Sequence, residues 1–184
     1  MSELVKLKLE IMSNLKRVST PDVRRAAQLL LKTRDKLGRV WVAGNGGSAA
    51  IASHFTSDLM NLGFDVKCLV DNVARLTALT NDEGWERAYD MQMPGFSPVD
   101  SLVLFTVHGA SGGVWSSNLA NAAALASMKG GSVILVAGCD GGKIKRYATA
   151  GVTWPSGDPY VVEGLFSVVA HMICAELRDQ LEGR

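Results

Sequence analysis

With 184 residues, 47% of them hydrophobic and 20% charged, the chain is long enough for one well-buried core and too short for two domains of ordinary size. Nineteen Lys and Arg against 18 Asp and Glu give a formal net charge of +1, and this balance with the high apolar fraction excludes intrinsic disorder. The 19 Gly and 5 Pro follow no fixed period, which excludes collagen-like and repeat architectures.

No apolar run approaches the ~20 residues of a membrane helix, and Met1 to Glu10 interleave Lys and Glu with Leu where a secretion signal would carry an unbroken apolar centre. A cytoplasmic protein with no membrane partner is expected. Cys68, Cys139 and Cys174 lie far apart in apolar stretches, as buried thiols of a reducing compartment do. Residues 1–39 carry a net charge of +6 and the remainder −5. No aromatic interleaving accompanies the basic segment, so it reads as solvated helix faces, and nucleic acid is not expected as a partner.

Leu4, Leu7, Ile11, Leu15 and Val18 recur at steps of three and four, which predicts an amphipathic helix over 3–17 with a narrow apolar seam. Ser19-Thr20-Pro21 caps a second helix that runs to about Leu37 and stops at Gly38. Residues 1–38 thus form a helical hairpin, and so narrow a seam suits association between subunits. Short apolar runs follow at Val40 to Ala43, Val66 to Val70, Ser101 to Thr106, Ser132 to Ala137 and Val152 to Trp154, each but the last leading into a helical stretch. A final helix is predicted over Val161 to Leu181. Continuous apolar strands alternating with helices specify an α/β fold, a three-layer doubly wound parallel sheet in one domain over 1–184. Ligands of such sheets bind at the carboxyl ends of the strands.

At the end of the first strand, Asn45, Gly46, Gly47 and Ser48 lead into a helix, where free backbone N–H groups, the helix dipole and small residues suit a phosphate. The sequence is neither a P-loop nor a dinucleotide fingerprint. His54 and Asp58 stand one turn apart on that helix, as a pair of metal ligands or a His oriented by a carboxylate. His171 lies in the apolar stretch 168–173, either as a core histidine bonded to a carbonyl or as a functional one. Glu163 precedes it by eight residues, about 12 Å of helical rise, so the two share one ion only if the helix begins irregularly or different subunits contribute. Asn81 to Gly84 and Asp140 to Lys143 are turns by themselves.

Val42 to Ser48 with His54, Asn81 to Gly84, Gly138 to Lys143 and the Glu163 to His171 helix together resemble the sugar isomerase (SIS) domain, and within it the phosphoheptose isomerase group, over nearly the whole chain. The resemblance implies a five-stranded parallel sheet and a homotetramer with active sites between subunits. It implies isomerisation of sedoheptulose 7-phosphate to an aldoheptose phosphate through a cis-enediol. It also implies a divalent metal, zinc first, on His54, Asp58, Glu163 and His171. Asp58 and Glu163 stand where the family has Glu and Gln. Asp58 is thus shorter by a methylene, and Glu163 adds a negative charge. His171 with Asp58 or Glu163 is expected to carry the proton transfers. Asn45, Gly46, Gly47, Ser48, Ser111, Ser116, Ser117 and Asp82 are expected at the substrate. The family's short serine-rich phosphate loop is replaced by Thr106 to Ser117, about five residues longer and containing His108 and Trp115. The same group includes a DnaA-binding regulator, so a non-catalytic binding protein is the alternative, as is isomerisation of another sugar phosphate in a specialised pathway.

Overall fold

The computed structural model describes residues 1–111 and 115–183. Of the lengthened loop, Gly112, Gly113 and Val114 lie outside the described residues. The elements in chain order are α1 (Glu3–Leu15), α2 (Thr20–Asp35), β1 (Val40–Gly44), α3 (Gly47–Asn61), β2 (Val66–Cys68), α4 (Val73–Glu83), β3 (Ser101–Thr106), α5 (Ser117–Met128), β4 (Ser132–Ala137), β5 (Ala150–Thr153) and α6 (Pro159–Glu182). The five strands are all parallel in the order β2-β1-β3-β4-β5. The chain leaves β1 for β2 on one side and returns to β3 on the other, so the sheet has its switch point between the carboxyl ends of β1 and β3.

Strand residues alternate between two cores, one on each face of the sheet. Val40, Val42, Val103, Phe105, Ile134 and Val136 pack under α2, α3 and α6. Trp41, Ala43, Leu102, Leu104, Val133 and Leu135 pack under α5 and the turns around residues 85–96. This two-sided burial is why the strands read as unbroken apolar runs.

α6 is long and apolar enough to cross a membrane by length and composition, with a mean hydropathy of 1.5 over its most apolar window. It serves here as a core helix: Leu165, Phe166, Val169, Ala170, Ile173 and Leu177 are fully buried against the sheet. The two N-terminal helices pack on the C-terminal one. α1 and α2 both lie against α6, because Val23, Ala26, Ala27, Leu30 and Leu31 of α2 are buried in the main core. α1 contributes only Leu7 and Ile11 to that core and buries no residue completely. The cysteines also divide. Cys68 and Cys174 are buried as expected, whereas Cys139 is partly exposed in a left-handed conformation (φ 53°).

Candidate active site

α3 and α6 run side by side in the same direction, so residues at matching heights meet. At the first level a Cβ on Gly47 would fall onto the Glu163 carboxylate. Two turns on, His54 and His171 face each other with their Nε2 atoms 3.1 Å apart. Asp58 Oδ2 lies 3.5 Å from His54 Nε2 and 3.7 Å from His171 Nε2. These three atoms form a triangle whose centre is about 2.0 Å from each corner, the length of a zinc bond to nitrogen or carboxylate oxygen. Asp58 Oδ2 is buried with no hydrogen-bond partner, a costly arrangement for a carboxylate unless a cation satisfies it. The three residues form a group able to hold a metal ion, and their donors fit a divalent one.

Asp58 and His171 open onto a groove of about 400 Å³ that continues along α6 past Cys174 to Arg178, with Asn61 opposite. Burial pushes the Cys174 thiol up to about 12, with the Asp58 carboxylate adding to the rise and Arg178 opposing it. The core-histidine reading of His171 is thereby replaced: its ring is exposed on the surface of α6 beside His54.

Glu163 does not join that group within one chain. α6 is regular from Pro159, four residues before Glu163, so an irregular helix start cannot bring its carboxylate to His171. Instead Glu163 lines the cleft at the switch point, together with Asn45, Ser48, Thr106, His108 and Ser116. The cleft is small, with a volume of about 90 Å³.

Two helix N-termini converge there. α1, α2, α4 and α6 are each capped by a side chain, from Ser2, Ser19, Asn72 and Asp158. The N-cap residues of α3 and α5 are Gly46 and Ser116, neither makes a side-chain cap, and both helices start at this cleft. The Ser48 and Ala49 N–H groups of α3 already donate to the Asn45 and Gly46 carbonyls and the Leu119 N–H of α5 to Asn118 Oδ1, so it is the helix dipoles and the remaining first-turn N–H groups that favour an anion. Gly46 takes a φ of 58°, and a Cβ on Gly44 would collide with the Ser48 backbone, so the turn after β1 needs both glycines.

The floor of the cleft is an amide pair. Asn45 Nδ2 donates to Asn118 Oδ1 at 3.0 Å, and Asn118 Nδ2 donates to Asn45 Oδ1 at 2.9 Å. The Tyr89 hydroxyl donates to the Gly44 carbonyl at 2.7 Å and sits 3.0 Å from Asn45 Oδ1. Burial drives the Tyr89 hydroxyl far above the usual tyrosine range, keeping it a proton donor. Tyr89 and Asn118 are absent from the sequence reading, since their partners lie 44 and 73 residues away and no local spacing marks them. Of the remaining expected residues, Ser117 opens α5 beside Ser116. Ser111 turns its hydroxyl onto the His108 carbonyl at 2.8 Å. Asp82 is exposed in the last turn of α4, away from the cleft lining.

No protein-family model matches the chain. It is 31% identical over 172 residues to the phosphoheptose isomerase of Geobacter metallireducens, covering 90% of this chain and 88% of that one. The chain belongs to the phosphoheptose isomerase family. The phosphoheptose isomerase GmhA of Neisseria gonorrhoeae shares the sugar isomerase fold at a TM-score of 0.83 and 26% identity, covering 95% of this chain and 94% of that one. The lincomycin biosynthesis protein LmbN of Streptomyces lincolnensis is 39% identical over 168 residues, 84% of this chain. The match spans 61% of the length of LmbN. As a member of the phosphoheptose isomerase family the protein is an aldose-ketose isomerase of sugar phosphates.

Proposed function

We propose that the protein is a cytoplasmic, metal-dependent isomerase of a ketose phosphate of about seven carbons, with sedoheptulose 7-phosphate as the first substrate to test. The observation that carries the metal dependence is the convergence of His54, Asp58 and His171 around one point, with Asp58 Oδ2 otherwise unpartnered. A divalent ion there, zinc first, supplies charge stabilisation for the enediolate that forms when the proton beside the carbonyl is lost. The anion end of the substrate belongs in the switch-point cleft, with Ser48, Ser116, Ser117 and the turn Asn45 to Gly47 around it.

Proton transfer needs a carboxylate and a partner that serves the carbonyl oxygen. Glu163 is the carboxylate of the cleft with no ion pair among the described residues, whereas Asp58 and His171 face the metal position. Glu163 is therefore assigned the proton beside the carbonyl, with His171 and Asp58 at the oxygen. A metal and Glu163 reach one substrate only when the cleft of one copy faces the metal group of another. A homotetramer with sites between subunits supplies that arrangement, and the weakly buried α1 suits the contact. Nucleic acid and membranes have no place in this reading.

Similarity to a lincomycin biosynthesis protein favours a second reading, in which the same chemistry acts on another sugar phosphate in a specialised pathway. Incubation of the zinc-loaded protein with sedoheptulose 7-phosphate in deuterium oxide tests the first. Deuterium at the carbon beside the carbonyl, with appearance of the aldose, is expected. Binding without exchange removes the isomerase assignment for this sugar, and exchange with an eight- or six-carbon ketose phosphate alone selects the second reading.

A further inference from the structure

Tyr89 is rooted in the core on the α5 face of the sheet, where it is 1% exposed and shares a cluster with Trp41, Met93 and Leu104. The turn that carries it is pinned by Gln92, itself buried, whose Nε2 donates to the Leu69 carbonyl at 3.0 Å and to the Ala88 carbonyl at 2.8 Å. So held, the phenol has little freedom. Its hydroxyl falls between two acceptors, the Gly44 carbonyl at the end of β1 and Asn45 Oδ1. The ring alone would fill the core as well, and the hydroxyl makes only those two hydrogen bonds among the described residues.

The amide pair beside it has no choice of orientation. The Leu119 N–H donates to Asn118 Oδ1 at 2.9 Å, which makes that atom an acceptor and leaves Asn118 Nδ2 to donate to Asn45. Asn45 Oδ1 therefore faces Asn118 Nδ2, and Asn45 Nδ2 faces Asn118 Oδ1. Both lone pairs of Asn45 Oδ1 are then engaged, one by Asn118 and one by Tyr89, and Asn118 takes one of the two Nδ2 protons. A single N–H remains without a partner among the described residues. Asn118 is fully buried, whereas Asn45 is partly exposed and lines the cleft, so the spare amide N–H that a ligand can reach belongs to Asn45.

We infer that Tyr89 is a positioning residue of the isomerase: its hydroxyl ties the Asn45 amide to the end of β1, so that the cleft floor presents a substrate oxygen with one fixed N–H and no amide acceptor. This deepens the reading of the cleft as the sugar-phosphate site and rests on it. Tyr89 itself touches no substrate. It acts through Asn45, and the floor it sets favours a ligand oxygen that accepts a hydrogen bond. Its two bonds also make one network of the turn after β1 and the first turn of α5, the two segments between which the cleft opens.

The test has a spectroscopic and a kinetic arm. In the ¹⁵N–¹H spectrum of the unliganded protein, the two Nδ2 protons of Asn45, assigned with Asn45→Asp, are expected to differ: one protected from exchange by its bond to Asn118, the other exchanging freely with solvent. Tyr89→Phe, which keeps the ring and its packing, is expected to speed exchange of the protected proton by about threefold or more. With sedoheptulose 7-phosphate as substrate, Tyr89→Phe is expected to raise KM about three- to tenfold, the span of a neutral hydrogen bond, and to leave kcat within about twofold, because the Asn45 N–H holds ground state and transition state alike. In an Asn45→Ala background the same substitution is expected to change KM by less than about twofold, since the group it acts through is gone. Equal exchange of the two Asn45 protons in the wild type, protection unchanged in Tyr89→Phe, a KM within about twofold of wild type in that variant, or an undiminished KM effect in the Asn45→Ala background overturns the proposal. The exchange measurement needs neither substrate nor turnover, so it decides the role of Tyr89 even if sedoheptulose 7-phosphate is not isomerised, a result that removes that substrate alone. Normal turnover with unchanged protection removes Tyr89 alone.

Discussion

His54 and His171, 117 residues apart in sequence, bring their Nε2 atoms to 3.1 Å across two parallel helices, and Asp58 completes the triangle from one turn below. Neither imidazole is in the core, and the carboxylate oxygen they flank is buried without a hydrogen-bond partner. A metal bound there is expected to stabilise the fold. At a free zinc concentration 100-fold above Kd the gain is about 2.7 kcal/mol, which for a chain of this size raises Tm by about 5–10 °C. Differential scanning calorimetry with and without zinc is expected to show that rise in the wild type and to show none in Asp58→Ala. Because imidazoles must be neutral to ligate, the zinc-induced rise is expected to shrink as the pH is lowered.

Glu163 and Gly47 make a second contact of the same two helices, and it predicts a separation of stability from function. In Gly47→Ala the new methyl meets only the end of a flexible side chain, so the carboxylate swings away while α3 gains a better helix former. Unfolding free energy is expected to change by less than about 1 kcal/mol. Isomerase turnover is expected to fall at least tenfold, since an ångström of misplacement at a reacting group costs about that or more. Urea unfolding beside a turnover assay reads both.

Leu37 ends α2 in the left-handed conformation (φ 56°) that glycine usually supplies, with its N–H on the Arg34 carbonyl and the Gly38 N–H on the Thr33 carbonyl. Its side chain is 94% exposed, so nothing is lost by removing it. Leu37→Gly is expected to stabilise the protein by about 1 kcal/mol, a rise in Tm of about 2–4 °C.

That helix end shows where sequence legibility stopped. Gly38 marks the stop of α2 correctly, yet it is glycine because a Cβ there would strike the Val99 carbonyl, a contact 61 residues distant that no local pattern reveals. Strand positions and the switch-point loop were legible because two-sided burial writes continuous apolar runs and close approaches demand glycine. The metal pair was half legible. Helical spacing alone puts His54 beside Asp58, but only the packing of α6 on α3 brings His171 to them and leaves Glu163 behind in the cleft. The Tyr89–Asn45–Asn118 network was not legible, being made of single long-range hydrogen bonds.

The thiols are expected to react unequally. Burial holds Cys68 at about 11 and Cys174 at about 12, so at pH 8 only about one molecule in 10³ and one in 10⁴ carry the thiolate that reacts. Cys139 is partly exposed. Brief iodoacetamide treatment of the native protein at pH 8 followed by peptide mass spectrometry is expected to find label on Cys139 and little on the other two.

The claim on which the chemistry depends is that one cation sits among three side chains from two helices. An anomalous difference map at the zinc absorption edge, from crystals of the zinc-loaded protein, tests it most directly. One strong peak is predicted per chain, about 2.1 Å from His54 Nε2, His171 Nε2 and Asp58 Oδ2. A map without a peak there, or with its peak on other ligands, would contradict the account.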